Sequence, residues 1–164
     1  MSSEEIIHIN LEIDNTQIEY NTKQLIVFKQ GGEEYGLEID QIREVVLTPY
    51  ITKMPHTPSY IKGVANIRGS IIAIVDLEDK FNVTGDNEDK ISTSYSLVVE
   101  NEEFKIGILV REVPNTLSVA ESDIDDTMNL VEDNSNSGYI KGIVKKEGRL
   151  IILLDIHHIM TSCN

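Results

Sequence analysis

No tryptophan occurs in this chain of 164 residues, only three phenylalanines do, and its single cysteine is Cys163. One cysteine forms no internal disulfide, which agrees with a reducing cytoplasm and sets aside the small secreted scaffolds that depend on disulfide staples. Histidine is almost as scarce, at His8, His56, His157 and His158. An adjacent pair on a helix points to different faces, and no Cys or further His stands at ligand spacing, so no zinc site is expected. Asp123, Asp125 and Asp126 begin like a calcium loop, yet its sixth position is Met128 where Gly is wanted and its twelfth is Asn134 where Glu is wanted. A Gly-rich phosphate loop before a helix is missing, as is the G-x-S-x-G nucleophile motif. The residues therefore predict no enzyme, no cofactor and no metal. No apolar run is long enough to cross a bilayer and no charged leader with an apolar stretch opens the sequence, so the expected location is the cytoplasm.

Basic residues are the other shortage: 14 Lys and Arg stand against 28 Asp and Glu, a net charge of −14. The excess is uneven. Residues 1–22 carry Glu4, Glu5, Glu12, Asp14 and Glu19, and residues 121–134 carry Glu121, Asp123, Asp125, Asp126, Glu132 and Asp133, with no Lys or Arg in either stretch. A phosphate backbone is repelled by such a surface, and few aromatic rings are available to stack on bases, so nucleic acid is not an expected partner. The acidic stretches read as solvated surface, with docking of a basic partner as the alternative.

What the sequence does have is a repeat. YIKGVANIRGSIIAIVDLEDKF, residues 60–81, returns as YIKGIVKKEGRLIILLDIHHIM, residues 139–160, with seven of 22 positions identical: Tyr60/Tyr139, Ile61/Ile140, Lys62/Lys141, Gly63/Gly142, Gly69/Gly148, Ile72/Ile151 and Asp76/Asp155. Chance would supply roughly one or two, so one supersecondary unit is present twice. Each copy reads as a β-hairpin turning at Gly69 or at Glu147-Gly148, because Gly takes the positive φ that two-residue hairpin turns require. The run Ile71, Ile72, Ala73, Ile74, Val75 lacks a polar alternate, which predicts a strand covered on both faces. Asp76 and Asp155 then mark strand exits, as turn or cap residues, and Asp155 to Thr161 predicts one short helix. A fainter pair, Leu25 to Lys29 before Gly36-Leu37-Glu38-Ile39 and Leu97 to Glu100 before Gly107-Ile108-Leu109-Val110, extends the duplication. About four or five strands per half predict an all-β fold of two small SH3-like or OB-like barrels with a partner groove between them. The expected division is an acidic extension over 1–22 and one domain over 23–164, made of two intertwined subdomains of about 23–90 and 91–164.

Ile7, Ile9, Leu11 and Ile13 alternate with polar residues as in an added strand, while their acidic flanks resemble a tail. Thr84 to Ser94 and Ser118 to Gly138, rich in Asp, Asn, Ser and Gly, predict flexible connections. One charged pair stands in apolar surroundings: Glu44 within Ile42-Arg43-Glu44-Val45, and Arg68 at the hairpin end. Each wants an opposite charge, and the planar Arg fork suits a carboxylate. The pair either orients the hairpin or contacts a partner, and both roles stay open.

From Leu25 to Ile159 the ordered landmarks FKQGGEEYGLEI, IREV, MPHTPSYIKG, NIRGSIIAIVDL, GILV and YIKG followed by LIILLDI resemble the bacterial chemotaxis coupling-protein family, CheW. The resemblance implies two five-stranded SH3-like barrels with short helices at connections and at the C-terminus, and a scaffold without catalysis. It further implies an adaptor between the cytoplasmic tip of transmembrane chemoreceptors and the regulatory domain of the histidine kinase CheA, recruited to arrays at the inner face of the membrane but not inserted in it. Carried over by motif, Glu44 and Arg68 match the family's functional acidic and basic positions, and Ile42, Val45, Gly63, Tyr95 and Gly107 fall at receptor-facing and groove positions. The segment expected to meet the kinase, represented by Asp125 and Leu130, departs from the family in being acidic and free of proline over Ile124 to Leu130. A more basic kinase partner is the implied adjustment. The alternatives are the same fold in a chemosensory system for surface motility or gene regulation, and a small-ligand barrel, which would need an aromatic-lined pocket.

Overall fold

A computed structural model describes residues 21–81, 94–125 and 139–161. The strand expected around Ile7 to Ile13 lies outside these residues, as do Leu130, Cys163 and most of the connection after Thr84. In chain order the elements are β1 (Thr22–Gln30), β2 (Glu33–Glu38), β3 (Ile42–Leu47), β4 (Ile61–Ile67), β5 (Ser70–Val75), α1 (Leu77–Lys80), β6 (Tyr95–Glu100), β7 (Lys105–Val110), β8 (Asn115–Ala120), β9 (Ile124–Asp125), β10 (Ile140–Lys146), β11 (Arg149–Leu154) and α2 (Ile156–Thr161). The connection expected from Ser118 onward is thus partly strand, through Ala120 and again at β9.

The repeated unit is the hairpin β4–β5 and its counterpart β10–β11. Both turn on two consecutive positive-φ residues, Arg68 (51°) with Gly69 (86°) and Glu147 (54°) with Gly148 (76°). Two positive φ values in succession give the primed turn whose twist matches that of the flanking strands. A side chain at the first of these positions costs about 1–2 kcal/mol, which the hairpin must offset; at the first turn Asn66 Oδ1 helps by accepting from Gly69 N at 2.9 Å. Each hairpin also carries a register shift at the shared glycine, between Ile61 and Gly63 and between Ile140 and Gly142. Each ends in a capped helix. Asp76 Oδ1 accepts from Glu78 N at 3.0 Å, and Asp155 Oδ1 from His158 N at 3.1 Å, which satisfies donors that a helix start leaves unpaired.

The strands form two sheets, one ordered β8-β1-β2-β11-β10-β9 and the other β3-β6-β7-β5-β4. They do not divide the chain near residue 90, as the subdomain limits 23–90 and 91–164 supposed. The second sheet is built from the continuous stretch 42–110, whereas the first takes β1 and β2 from the front of the chain and β8 to β11 from its end. Each half contributes its leading hairpin to the other half's sheet, through parallel pairs of β2 with β11 and β5 with β7. The first sheet also gains a sixth, two-residue strand, β9; its counterpart in the second sheet is a single bridge between Thr52 and Val64.

Three cores follow from this exchange. Leu25, Val27, Val119, Val144, Ile151 and Leu153 fill the first sheet, and Ala65, Ile67, Ile72, Ile74, Val98 and Leu109 fill the second. In each case residues of the two outer strands reach one cluster, so each sheet curls into a barrel. A third core between the barrels gathers Ile26, Phe28, Tyr35 and Leu37 from the first sheet with Val75, Leu97, Val99, Ile106, Ile108 and Val110 from the second, closed by Leu77, Tyr139, Ile156 and Ile159. Full burial of such a side chain contributes roughly 1.5–3 kcal/mol. The two-sided cover expected for β5 holds for its later residues but not for Ile71, which is exposed, as is its counterpart Leu150. Both sit just past the hairpin turn, where the strands outrun the neighbouring barrel.

Polar bonds tie the barrels together at one end of the shared core. Gln30 Nε2 donates to the Leu109 carbonyl at 2.8 Å and Gly31 N donates to Glu78 Oε1 at 3.0 Å; on the second barrel's side Arg111 holds Glu78 in place, reaching its Oε2 at 2.8 Å and the buried Asp76 at 3.5 Å. Within the first sheet, Glu34 receives both prongs of Arg149 at 2.7 and 3.1 Å, and this holds its carboxyl below the ordinary range against the opposing effect of burial. Burial alone would raise the Glu38 carboxyl, but bonds from Lys23 at 3.0 Å and Lys141 at 3.2 Å outweigh it and leave it lowered as well. Lowered carboxylates contribute stability that is fully present above the unfolded value near 4.5 and is lost as pH falls through the folded values. Urea midpoints should therefore fall more steeply between pH 5 and pH 3 for the unaltered protein than for Glu34→Gln, Glu38→Gln. Parallel pH profiles would contradict this assignment.

Candidate protein-binding surface

The alternation in Ile42-Arg43-Glu44-Val45-Val46-Leu47 makes β3 an edge strand with two unlike faces. Opposed residues of an antiparallel pair point the same way. Glu44 stands opposite Val98, and Val46 opposite Ser96, so both look toward the interior of the second barrel. Val45 stands opposite Leu97, and Leu47 opposite Tyr95, on the face that leads into the shared core. Unlike their partners, Val45 and Leu47 are exposed. They extend the apolar face of the shared core into solvent.

Arg68, at the tip of β4–β5, closes the mouth of this barrel: its Nε donates to Glu44 Oε2 at 2.6 Å. The Glu44 side chain is 25% exposed and that of Arg68 is 76% exposed. A pair so open to water contributes at most about 1 kcal/mol. It joins the hairpin tip to the edge strand, and in the first barrel the bond from Lys146 Nζ to the Ser118 carbonyl joins β10 to β8 in the corresponding place. The second pairing has no exposed guanidinium. Arg68 therefore presents most of its guanidinium side chain to solvent at the tip of β4–β5.

The other expected site residues divide. Ile42, opposite Val99, and Tyr95 are half-buried at the rim of the shared core. Gly63 and Gly107, expected along a groove, are instead buried within the second barrel's wall. A Cβ on Gly63, whose φ is 145°, would stand 2.2 Å from the Thr52 carbonyl oxygen, and one on Gly107 would stand 2.9 Å from Ile74 Cδ1. Each is a glycine because another segment passes close by, and neither offers surface to a partner. Between the barrels lies a filled core. Asp125 ends β9, exposed and opposite Ile143; Leu130 is outside the described residues. Leu47, Tyr50 and Met54, exposed apolar residues at the end of β3 and in the loop after it, were not singled out from the sequence. Their signal there is a Tyr and a Met in a proline-punctuated loop directly after an alternating strand.

Among the described residues no three His, Cys, Asp or Glu side chains gather as a metal site. Shallow concavities of about 360 Å³ beside Lys23, Glu38 and Asp40 and about 310 Å³ at the Lys145 to Leu150 turn carry no aromatic lining, unlike a small-ligand pocket. No helix is long and apolar enough to cross a membrane among these residues.

A family description of the CheW-like domain matches residues 24–164. The chain belongs to the CheW-like domain family. Among relatives, the chemotaxis protein CheW of Helicobacter pylori is 32% identical over 137 residues, covering 84% of this chain and 81% of its own. That of Thermotoga maritima is 31% identical, covering 84% and 87%. The crystal structure of scaffolding protein TtCheW from Thermoanaerobacter tengcongensis matches with a TM-score of 0.72 at 31% identity, covering 84% of this chain and 86% of that one. The CheW-like match begins two residues into β1 and therefore includes both barrels.

For this CheW-like domain, Gly63→Ala should destabilise by about 2–4 kcal/mol, since it combines a backbone clash with a φ unsuited to side chains. Arg68→Ala should lose less than about 1 kcal/mol. Equilibrium denaturation of the two variants checks the ranking. A reversed order would make Arg68 a structural residue and Gly63 a tolerant one.

Proposed function

We propose that this chain is a non-catalytic chemotaxis adaptor that couples chemoreceptors to a CheA-type histidine kinase in the cytoplasm. Membership in the CheW-like family supports the reading, together with relatives named as chemotaxis proteins and a similar solved structure titled a scaffolding protein. The observation that carries it on this chain is the edge strand β3, where Val45 and Leu47 stand exposed on one face while Glu44, on the other, holds the largely exposed side chain of Arg68. Exposed aliphatic residues next to a fixed charge supply affinity and orientation respectively, as a protein-docking surface requires. The receptor contact is assigned to Ile42, Glu44, Val45 and Arg68, with Tyr95 at its edge. A kinase contact is assigned to the end of β9 at Asp125 and the acidic segment that follows, through Leu130, and it calls for a basic surface on the kinase. Gly63 and Gly107 serve the receptor contact only by holding the barrel wall in shape.

The test is binding of a chemoreceptor cytoplasmic fragment and of the kinase regulatory domain, each taken from the organism that encodes this chain. Both should bind the unaltered protein. Glu44→Ala, Arg68→Ala should weaken the receptor fragment at least tenfold while the thermal midpoint moves by only a few degrees. A folded double variant that binds both partners normally would remove these residues from the site.

A further inference from the structure

Residues 45–75 contain no Asp or Glu, although a chain with 28 carboxylates in 164 residues would place about five in a stretch of 31. Their charged residues are Lys53, Lys62 and Arg68. Lys62 is paired with Asp79 and Asp76, and Arg68 with Glu44, whereas Lys53 has no carboxylate within ion-pair distance among the described residues. The same stretch contains an exposed apolar series. Leu47 is 62% and Tyr50 87% exposed, with Val45 and Met54 exposed on either side. Three isolated apolar residues on a surface are ordinary, but four within ten residues, around the one segment of the molecule cleared of negative charge, are not.

The shape limits what fits. Val45 and Leu47 project from one face of one edge strand, and the chain leaves that strand through Thr48, whose N–H is held by the Ser94 carbonyl at 2.9 Å. It returns to the barrel at Thr52, bonded to Val64 in both directions at 2.8 and 2.9 Å. Tyr50 therefore stands on a loop pinned at both ends, and Lys53 and Met54 follow directly. From Val45 to Tyr50 the strip is one strand wide and at most about 17 Å long, the length of roughly three helical turns. A narrow strip of this kind takes the apolar stripe of a helix rather than a flat sheet.

We propose that the loop Tyr50 to Met54 extends the β3 surface into a docking strip for a helix bearing carboxylates beside its apolar stripe, with Tyr50 as the apolar anchor and Lys53 as the charge that selects acidic partners. This rests on the adaptor function proposed above, in which the helical partner is the chemoreceptor tip. Neither Tyr50 nor Lys53 contributes to a core, so their replacement leaves the fold intact.

The experiment is calorimetric titration of the chemoreceptor cytoplasmic fragment into the unaltered chain, Tyr50→Ala and Lys53→Glu, at 50 and 300 mM salt, values chosen to bracket ordinary screening. Tyr50→Ala should weaken binding about tenfold at both salts. Lys53→Glu should weaken it about tenfold at low salt and only two- to threefold at high salt, and the kinase regulatory domain should bind all three proteins equally. If the unaltered chain fails to bind the receptor fragment, the adaptor function itself falls. If it binds and the variants bind as well, the function stands and the strip is wrong. Losses confined to the kinase domain would overturn the choice of partner. A gain in receptor affinity on Lys53→Glu would show that an acidic segment of the chain itself occupies the loop, and would overturn the proposal too.

Discussion

Leu25 and Val27 point into one core while Ile26 and Phe28 point into another, and Val98 is divided in the same way from Leu97 and Val99. Strands buried on two faces at once have nowhere to stand except between two layers. This obliges the barrels to sit back to back, and the shared core is the result. The edge strand, the hairpin tip and the pinned loop all take their positions from it. Their apolar face begins where the shared core runs out of cover, at Val45 and Leu47.

The legible parts of this fold were those written locally. The repeat marked both hairpins, Gly69 and Gly148 marked their turns, and Asp76 and Asp155 marked the capped ends, because each rests on the chemistry of a few neighbouring residues. The exchange of leading hairpins was not legible. Nothing in Leu25 to Phe28 names Val119 or Leu153 as neighbours, since any aliphatic strand with the same alternation would satisfy the same surfaces. Ile71 shows the same limit, because its exposure depends on how far the hairpin projects beyond the other barrel and not on the residues beside it.

For the surface, Glu44 and Arg68 could be paired from sequence because two charges in aliphatic surroundings have few other solutions. Glycine is less informative. Gly63 and Gly107 fit a groove and a tightly packed wall equally well until the distance to the Thr52 carbonyl or to Ile74 is known. Opposite charges are also distributed by region: the carboxylates that give the chain its net charge leave the stretch that follows Glu44, residues 45–75, free. Such segregation keeps the molecule soluble through repulsion elsewhere while one face stays available for association.

The hairpin exchange has a consequence for the order in which the protein can be completed during translation. All five strands of the second barrel lie between residues 42 and 110, so that barrel can close once its last strand has left the ribosome. The first barrel cannot. Its β1 and β2 precede that barrel in the chain, yet they must wait for β8 to β11, which follow it, and until then Leu25 and Val27 have apolar surface without a partner. Distant pairings of this kind slow folding and prolong the exposure of sticky strands. The nascent chain is thus a finished barrel preceded by an unfinished one, and β1 with β2 is where a chaperone has something to hold.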